Sequence, residues 1–229
     1  MGRRVRTACR VRPARRLRGS VQGAAANLAR MDGFTIRAVR PEDHERLGEL
    51  TAAAYLDDGL LDFGAEDPYL EVLRDVAHRA EHAEVLVAVD PDGLVLGGVA
   101  FVGAPGPFAD VAREGEAEFR TLAVAPAGRG RGVGTALVRE CIDRARGLGR
   151  RRVVLSTQPT MHAAHRVYER FGFTRAPERD WSPIDTLTLL VYELELPPAG
   201  EGRDAGASDS TAPDSAAPDS PASDSVARD

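Results

Sequence analysis

Lysine is missing altogether: the 30 basic side chains of this 229-residue chain are all arginine. That excludes the Walker A loop, whose glycines must be followed by Lys. Cysteine is scarce. Cys9 and Cys141 make no disulfide framework, so the expected setting is a reducing cytoplasm. No apolar run reaches the length of a membrane span or a secretory signal. Arg3-Arg4 also lacks the apolar stretch that follows a twin-arginine export signal. No membrane partner is expected.

Acidic residues are missing from residues 1–30, which carry nine arginines. This segment reads as a disordered basic extension, or as sequence upstream of a natural start at Met31. A basic arm is also a potential nucleic-acid contact, one that salt would weaken, but nucleic acid is not the favoured partner. Large apolar residues are nearly missing from 197–229, where Asp-Ser recurs at 209, 214, 219 and 224 among Ala and Pro. Such a segment cannot offset its ordering entropy and is expected to be disordered. The tail holds seven acids and two arginines, so with −5 on the whole chain the middle, 31–196, carries −9. That middle is of single-domain size, enough to bury roughly 70% of its unfolded surface, and its charge favours a cationic partner.

The stretch from Glu116 to Thr135 organises the rest. It reads as a strand ending at Pro126, a turn holding Gly128, Arg129, Gly130, Arg131, Gly132 and Gly134, and the start of a helix. Glycines let backbone N–H groups converge on one concavity. A helix N-terminus adds unpaired donors and partial positive charge. Together these make an anion site, best suited to phosphate or pyrophosphate. The dinucleotide fingerprint G-x-G-x-x-G fails, because its sixth position is Val133 or Thr135. Arg150, Arg151 and Arg152 stand where an acidic ribose ligand would be needed. R-x-x-G-x-G fits, as Arg129, Gly132 and Gly134. Downstream, Ala164, Val167, Tyr168, Gly172 and Phe173 fit A-x-x-L-Y-x-x-x-G-F, with Val in place of Leu.

The two motifs, in this order, resemble the GNAT superfamily of N-acetyltransferases. The resemblance covers about residues 33–196. It implies a mixed α/β fold: a mostly antiparallel central sheet with helices on both faces, splayed between two central parallel strands. It implies acetyl-CoA as co-substrate, its pyrophosphate on the turn formed by Arg129, Gly130, Arg131, Gly132, Val133, Gly134 and Thr135. Its pantetheine arm would lie along the backbone of Leu122, Ala123 and Val124. Tyr168 takes the place of the family's thiol-protonating tyrosine. Glu118, six residues before Val124, takes the place of a catalytic base found in some members, with Glu116 as substitute. The family often has Asn where this chain has Met161.

Apolar spacing fills in the chain around these motifs. Phe34 to Val39 alternates as a half-buried strand. Pro41 opens a helix with Leu47, Leu50 and Ala54 inward. Pro68 opens another, expected to run through Leu70, Leu73, Ala77 and Ala80. The acidic link Asp57 to Asp67 between them is expected at the acceptor site. Val85–Val89 and Leu94–Val102 flank the hairpin turn Pro91-Asp92-Gly93. Both are nearly continuously apolar, as strands covered on both faces are. On the central strand, alternation puts Glu118, Arg120, Leu122 and Val124 on one face. A helix with Leu137, Val138, Cys141, Ile142 and Ala145 inward follows, and then a parallel strand, Val153–Leu155. Thr160 is the expected N-cap of the last helix, and Gly172 closes it. Strands at Phe173-Thr174 and Thr186–Leu196 complete the chain.

The expected reaction moves an acetyl group from acetyl-CoA to a primary amine, on a cationic small molecule or a protein. Acceptor amines have ordinary pKa values of about 10.4 (side chain) or 7.7–8.0 (α-amine) and must lose a proton. The departing thiolate must gain one. The alternative is a non-catalytic acyl-CoA-binding protein of the same fold. His78 and His82 lie one helical turn apart with no third ligand beside them in this reading, so no metal is expected. His162 and His165 fall near the site. Monomer and homodimer both stay open.

Overall fold

The computed structural model describes residues 29–31 and 33–197. The expectations placed on the basic segment before 29 and on the Asp-Ser tail lie outside those residues. Among the described residues the chain runs β1 (Ala29–Met31), β2 (Phe34–Ala38), α1 (His44–Asp57), α2 (Tyr69–Arg74), α3 (Val76–His82), β3 (Glu84–Val89), β4 (Val95–Val102) and β5 (Glu116–Val124). It continues through α4 (Val133–Gly147), β6 (Arg152–Thr157), α5 (His162–Arg170), β7 (Thr174–Arg175), β8 (Trp181–Ile184) and β9 (Leu187–Glu195). One sheet takes the order β1-β2-β3-β4-β5-β6-β9-β7, with β8 paired to β9 alone. Every described pair is antiparallel except β5 with β6. The pairing Ala29↔Ile36 starts the sheet two residues ahead of the expected boundary at 31.

Both faces of the sheet are covered, which is why β3 and β4 carry no polar alternation. Leu86 and Ala88 of β3 pack with Leu137, Cys141 and Ile142 of α4. Val85, Val87 and Val89 of the same strand pack with Leu47 of α1 and Val76 of α3 on the other face. Cys141 is fully buried there, and desolvation pushes its thiol pKa up. This is a core thiol and not a reactive one.

Three departures from the sequence reading have local causes. The expected single helix after Pro68 is two. Asp75 leaves helical geometry and its Oδ1 accepts the His78 N–H at 2.9 Å, capping α3. The buried Arg79 guanidinium then donates to the end of α2, at the carbonyls of Val72 and Leu73. Asp75→Ala is expected to cost about 1 kcal/mol, read as a lower urea midpoint at unchanged m-value. Thr160 does not cap α5. The chain turns tightly over Gln158, whose carbonyl accepts the Met161 N–H, and the helix starts at His162 with Met161 as its cap residue. The strand β8 was hidden by Pro183, a residue that breaks a strand pattern.

A bulge in β5 matters most for the site. Gly98 faces Ala123 and Ala100 faces Arg120, so Thr121 and Leu122 together oppose Val99. Thr121 holds φ at 49°, unusual for a residue with a branched Cβ. The extra residue inverts the alternation. Leu122 and Val124 join Ala117 and Phe119 on the α4 side, and they do not share a face with Glu118 and Arg120 as strict alternation predicts.

Candidate active site

The gap in the sheet is built first. β5 and β6 pair only at Glu116↔Arg152, Ala117↔Val153 and Glu118↔Val154. Beyond that register β5 runs on to Val124 and β6 to Thr157 without pairing to each other, so the strands splay. An ion network closes the paired end. The buried Glu116 carboxylate meets Arg179 at 2.8 Å and Arg152 at 3.3 Å, and both guanidiniums also reach Glu193. Glu116 accepts the Arg113 N–H as well. Burial pushes its pKa up, but the bonds from Arg179 and Arg113 and the two positive charges outweigh that, leaving it below the usual carboxylate range. Glu116 lines neither cavity of the site, and the structure gives it a fastening role in place of the substitute-base role expected for it.

At the open end lies the turn expected to hold an anion. Gly130 and Gly132 have φ of 75° and 78°, and Gly132 is the cap residue of α4. The N–H groups of Gly130, Gly132, Val133, Gly134 and Thr135 find no acceptor among the described residues. These residues line a cavity of about 740 Å³ beside Leu122, Ala123 and Val124. Nine of the ten residues expected to hold acetyl-CoA line it: those three, Arg129, Gly130, Gly132, Val133, Gly134 and Thr135. The tenth, Arg131, does not. Its guanidinium is turned away onto the carbonyls of Gly33 and Ala127. His162 and Arg170 line the same cavity.

A second cavity, of about 670 Å³, lies on the other side of the gap. Tyr55, Leu60, Leu122 and Met161 line both, so the cavities meet at these four side chains. Tyr168 and Glu118 line the second. The Tyr168 ring is locked among Phe119, Phe173 and Tyr192, with centroids 5.8–6.0 Å apart. Its hydroxyl takes no hydrogen-bond partner among the described residues, and burial pushes its pKa up, so it stays protonated. Gly172, at φ 88°, ends α5 and turns Phe173 back onto that ring.

Glu118 is fully buried. Its Oε2 accepts the N–H groups of Asp110 (3.1 Å), Val111 (2.9 Å) and Ala112 (2.9 Å), which fastens the loop before β5. Oε1 has only the longer contacts, Asp110 N at 3.3 Å and Arg120 Nε at 3.7 Å. Burial raises the Glu118 pKa; the loop N–H bonds and Arg120 oppose this without cancelling it. Arg120 is itself engaged, on Asp110 at 2.6 Å and on the Phe108 carbonyl at 2.7 Å.

The family model for GNAT acetyltransferases matches residues 48–173, which include the gap, the turn and the helix of Tyr168. The chain belongs to that family. This GNAT chain is 34% identical over 113 residues to an uncharacterized N-acetyltransferase of Schizosaccharomyces pombe; the match covers 49% of the chain and spans 65% of that relative's length. It is 32% identical over 145 residues to the N-alpha-acetyltransferase RimI of Mycobacterium tuberculosis, covering 62% of the chain and 78% of the relative. Its GNAT fold superposes on yncA of Salmonella typhimurium, solved with its cofactor acetyl-CoA. The TM-score is 0.54 at 22% identity, over 78% of this chain and 99% of that one.

Several residues of the GNAT site escape sequence reasoning. Tyr55 stands at the junction, yet in sequence it is one more helical aromatic. Trp181 and Asp110 reach the second cavity only through the folding of distant loops. For Trp181 the one available signal is rarity, since it is the only tryptophan. His165 is buried, with its Nε2 3.1 Å from the Gln158 carbonyl, and supports the turn before α5 away from both cavities. His78, Glu81 and His82 bring potential metal-ligand atoms within 4.8 Å of one another on the surface of α3, so Glu81 is a third candidate that helical spacing leaves unread.

Proposed function

We propose that the domain transfers the acetyl group of acetyl-CoA directly to a primary amine. The meeting of the two cavities at the splayed strands carries this reading, because it puts a thioester from one side against an amine from the other. The free N–H groups of the turn, with Arg129 and Arg170, hold the diphosphate. The backbone of Leu122 to Val124, unpaired on its β6 side, holds the pantetheine arm. The amine gives its proton to Glu118 Oε1 and attacks the thioester carbon. The C–N bond forms, the C–S bond breaks, and the thiolate takes the Tyr168 proton. The acylated nitrogen returns its surplus proton to the Tyr168 oxygen, leaving a neutral amide and the CoA thiol, while Glu118 releases its proton to solvent. The raised Glu118 pKa brings a carboxylate nearer to the range in which a general base works.

Gly132→Val tests the turn. A branched side chain is strained by about 1–3 kcal/mol at φ 78°. The free turn is expected to relax away from that shape, so restoring it for the ligand lowers affinity by up to the same amount, roughly five- to 150-fold. Calorimetric titration with acetyl-CoA is expected to show that loss with an unchanged far-UV circular dichroism spectrum. The whole reading is tested with the full chain by following CoA release across a panel of amines. The panel includes peptide α-amines, since one relative is named an N-alpha-acetyltransferase. Amine-dependent CoA release supports the reading. Acetyl-CoA binding without it favours the non-catalytic alternative. The chain has no lysine, so self-acetylation of side-chain amines cannot feign turnover.

A further inference from the structure

We infer that the acceptor is an amine with a bulky apolar body, such as an arylalkylamine, in preference to a free amino acid or a linear polyamine. What happens to the amine rests on the transfer reading above; how it binds does not. Among the described residues five large apolar side chains are exposed, and four of them line the second cavity: Phe63 at 70%, Tyr69 at 38%, Val72 at 56% and Ile184 at 51%. Apolar side chains gathered this way mark a binding surface. Trp181 lies on the same wall. The volume, about 670 Å³, falls within the 300–1,000 Å³ or so of small-molecule sites.

The acidic side chains of the loop over the cavity also hold that loop in place. Asp67 accepts the N–H groups of Phe63 and Tyr69. Asp62 accepts the Thr186 hydroxyl at 2.8 Å, and Gln158 donates to the Leu60 carbonyl at 2.9 Å, so the loop between α1 and α2 is tied down as a roof. Asp110 is paired with Arg120, the only basic side chain lining the cavity among the described residues. A substrate carboxylate therefore has no free cation to meet. One ammonium group is matched at the inner end by the Glu118 and Asp110 carboxylates. Asp62 and Asp67 line the same cavity and have no basic partner among the described residues, so the polar lining rejects anions, and the apolar wall of Trp181 and Ile184 then selects among cations by their apolar body. The domain's overall negative charge draws cations to the cavity mouth; the lining then selects among them.

Trp181 is the single tryptophan, so its emission in the full chain reports binding without any turnover. 2-Phenylethylamine is expected to change it saturably, with a dissociation constant at least tenfold below those of phenylalanine and spermidine. Ile184→Asp, at an exposed hairpin position, is expected to weaken 2-phenylethylamine at least tenfold while acetyl-CoA affinity stays put. Spermidine or phenylalanine binding as tightly as 2-phenylethylamine overturns the inference. So does no saturable response to the arylalkylamine, or an Ile184→Asp protein that binds it normally. Selective arylalkylamine binding without CoA release would leave this inference standing and remove the transfer reading. An apolar wall covered by a second copy of the chain would appear as a dimer in light scattering that 2-phenylethylamine fails to enter, and that result also overturns it.

Discussion

Tyr168→Phe is expected to lower kcat by about 10² to 10⁴, the usual worth of a positioned proton donor, with acetyl-CoA affinity changed less than about twofold. The ring is held by Phe119, Phe173 and Tyr192, and a phenylalanine ring fills the same space. The hydroxyl has no partner among the described residues, so its loss leaves no buried group unsatisfied, and stability should be nearly unchanged. A drop in kcat with an intact melting temperature and normal calorimetric binding is therefore the signature of a proton donor. Unchanged turnover would reduce Tyr168 to a core aromatic. Replacing acetyl-CoA by a thioester whose thiol is more acidic should rescue the variant, because a better leaving group needs its proton less.

Arg179→Ala should be the most destabilising of the substitutions considered, by about 3–5 kcal/mol, because it leaves the buried Glu116 carboxylate without its main partner. The pH dependence has a definite sign. The folded-state pKa of Glu116 lies below the ordinary value. Its contribution is thus fully present above the unfolded pKa of about 4.3 and is lost as the pH falls through the lower folded value. Urea denaturation at pH 7 should show the full deficit of Arg179→Ala against the wild type. The deficit should shrink as the pH falls below about 4. A constant deficit across that range would mean that Arg179 acts through packing alone. Replacing both partners by apolar residues of similar volume should cost less than removing Arg179 alone.

What the sequence disclosed was whatever is determined locally. The turn after β5 was legible because glycine and proline act on their own neighbours, and α4 because its apolar spacing is regular. The covered faces of β3 and β4 showed as unbroken apolar runs. The bulge at Thr121 left no such trace: it comes from pairing with β4 across the sheet, and a strict period of two passes straight over it. Arg131 sits inside a motif of basic and glycine residues, yet its guanidinium goes to a carbonyl 98 positions away. Glu116 and Glu118 look alike in sequence. Only the partners brought in by Arg179 and by the Asp110 loop separate a clamp from a candidate base. Asp75, by contrast, could have been read: an aspartate two residues before an Ala-His-Arg run is a credible cap.

Tyr55, Leu60, Leu122 and Met161 form a partition common to both halves of the site. A fatty chain longer than two carbons would have to push through that partition and occupy volume the amine needs. On the proposed transfer, tolerance toward larger thioesters and tolerance toward larger amines are therefore expected to be opposed. Trimming one of these four side chains is the direct way to exchange one for the other.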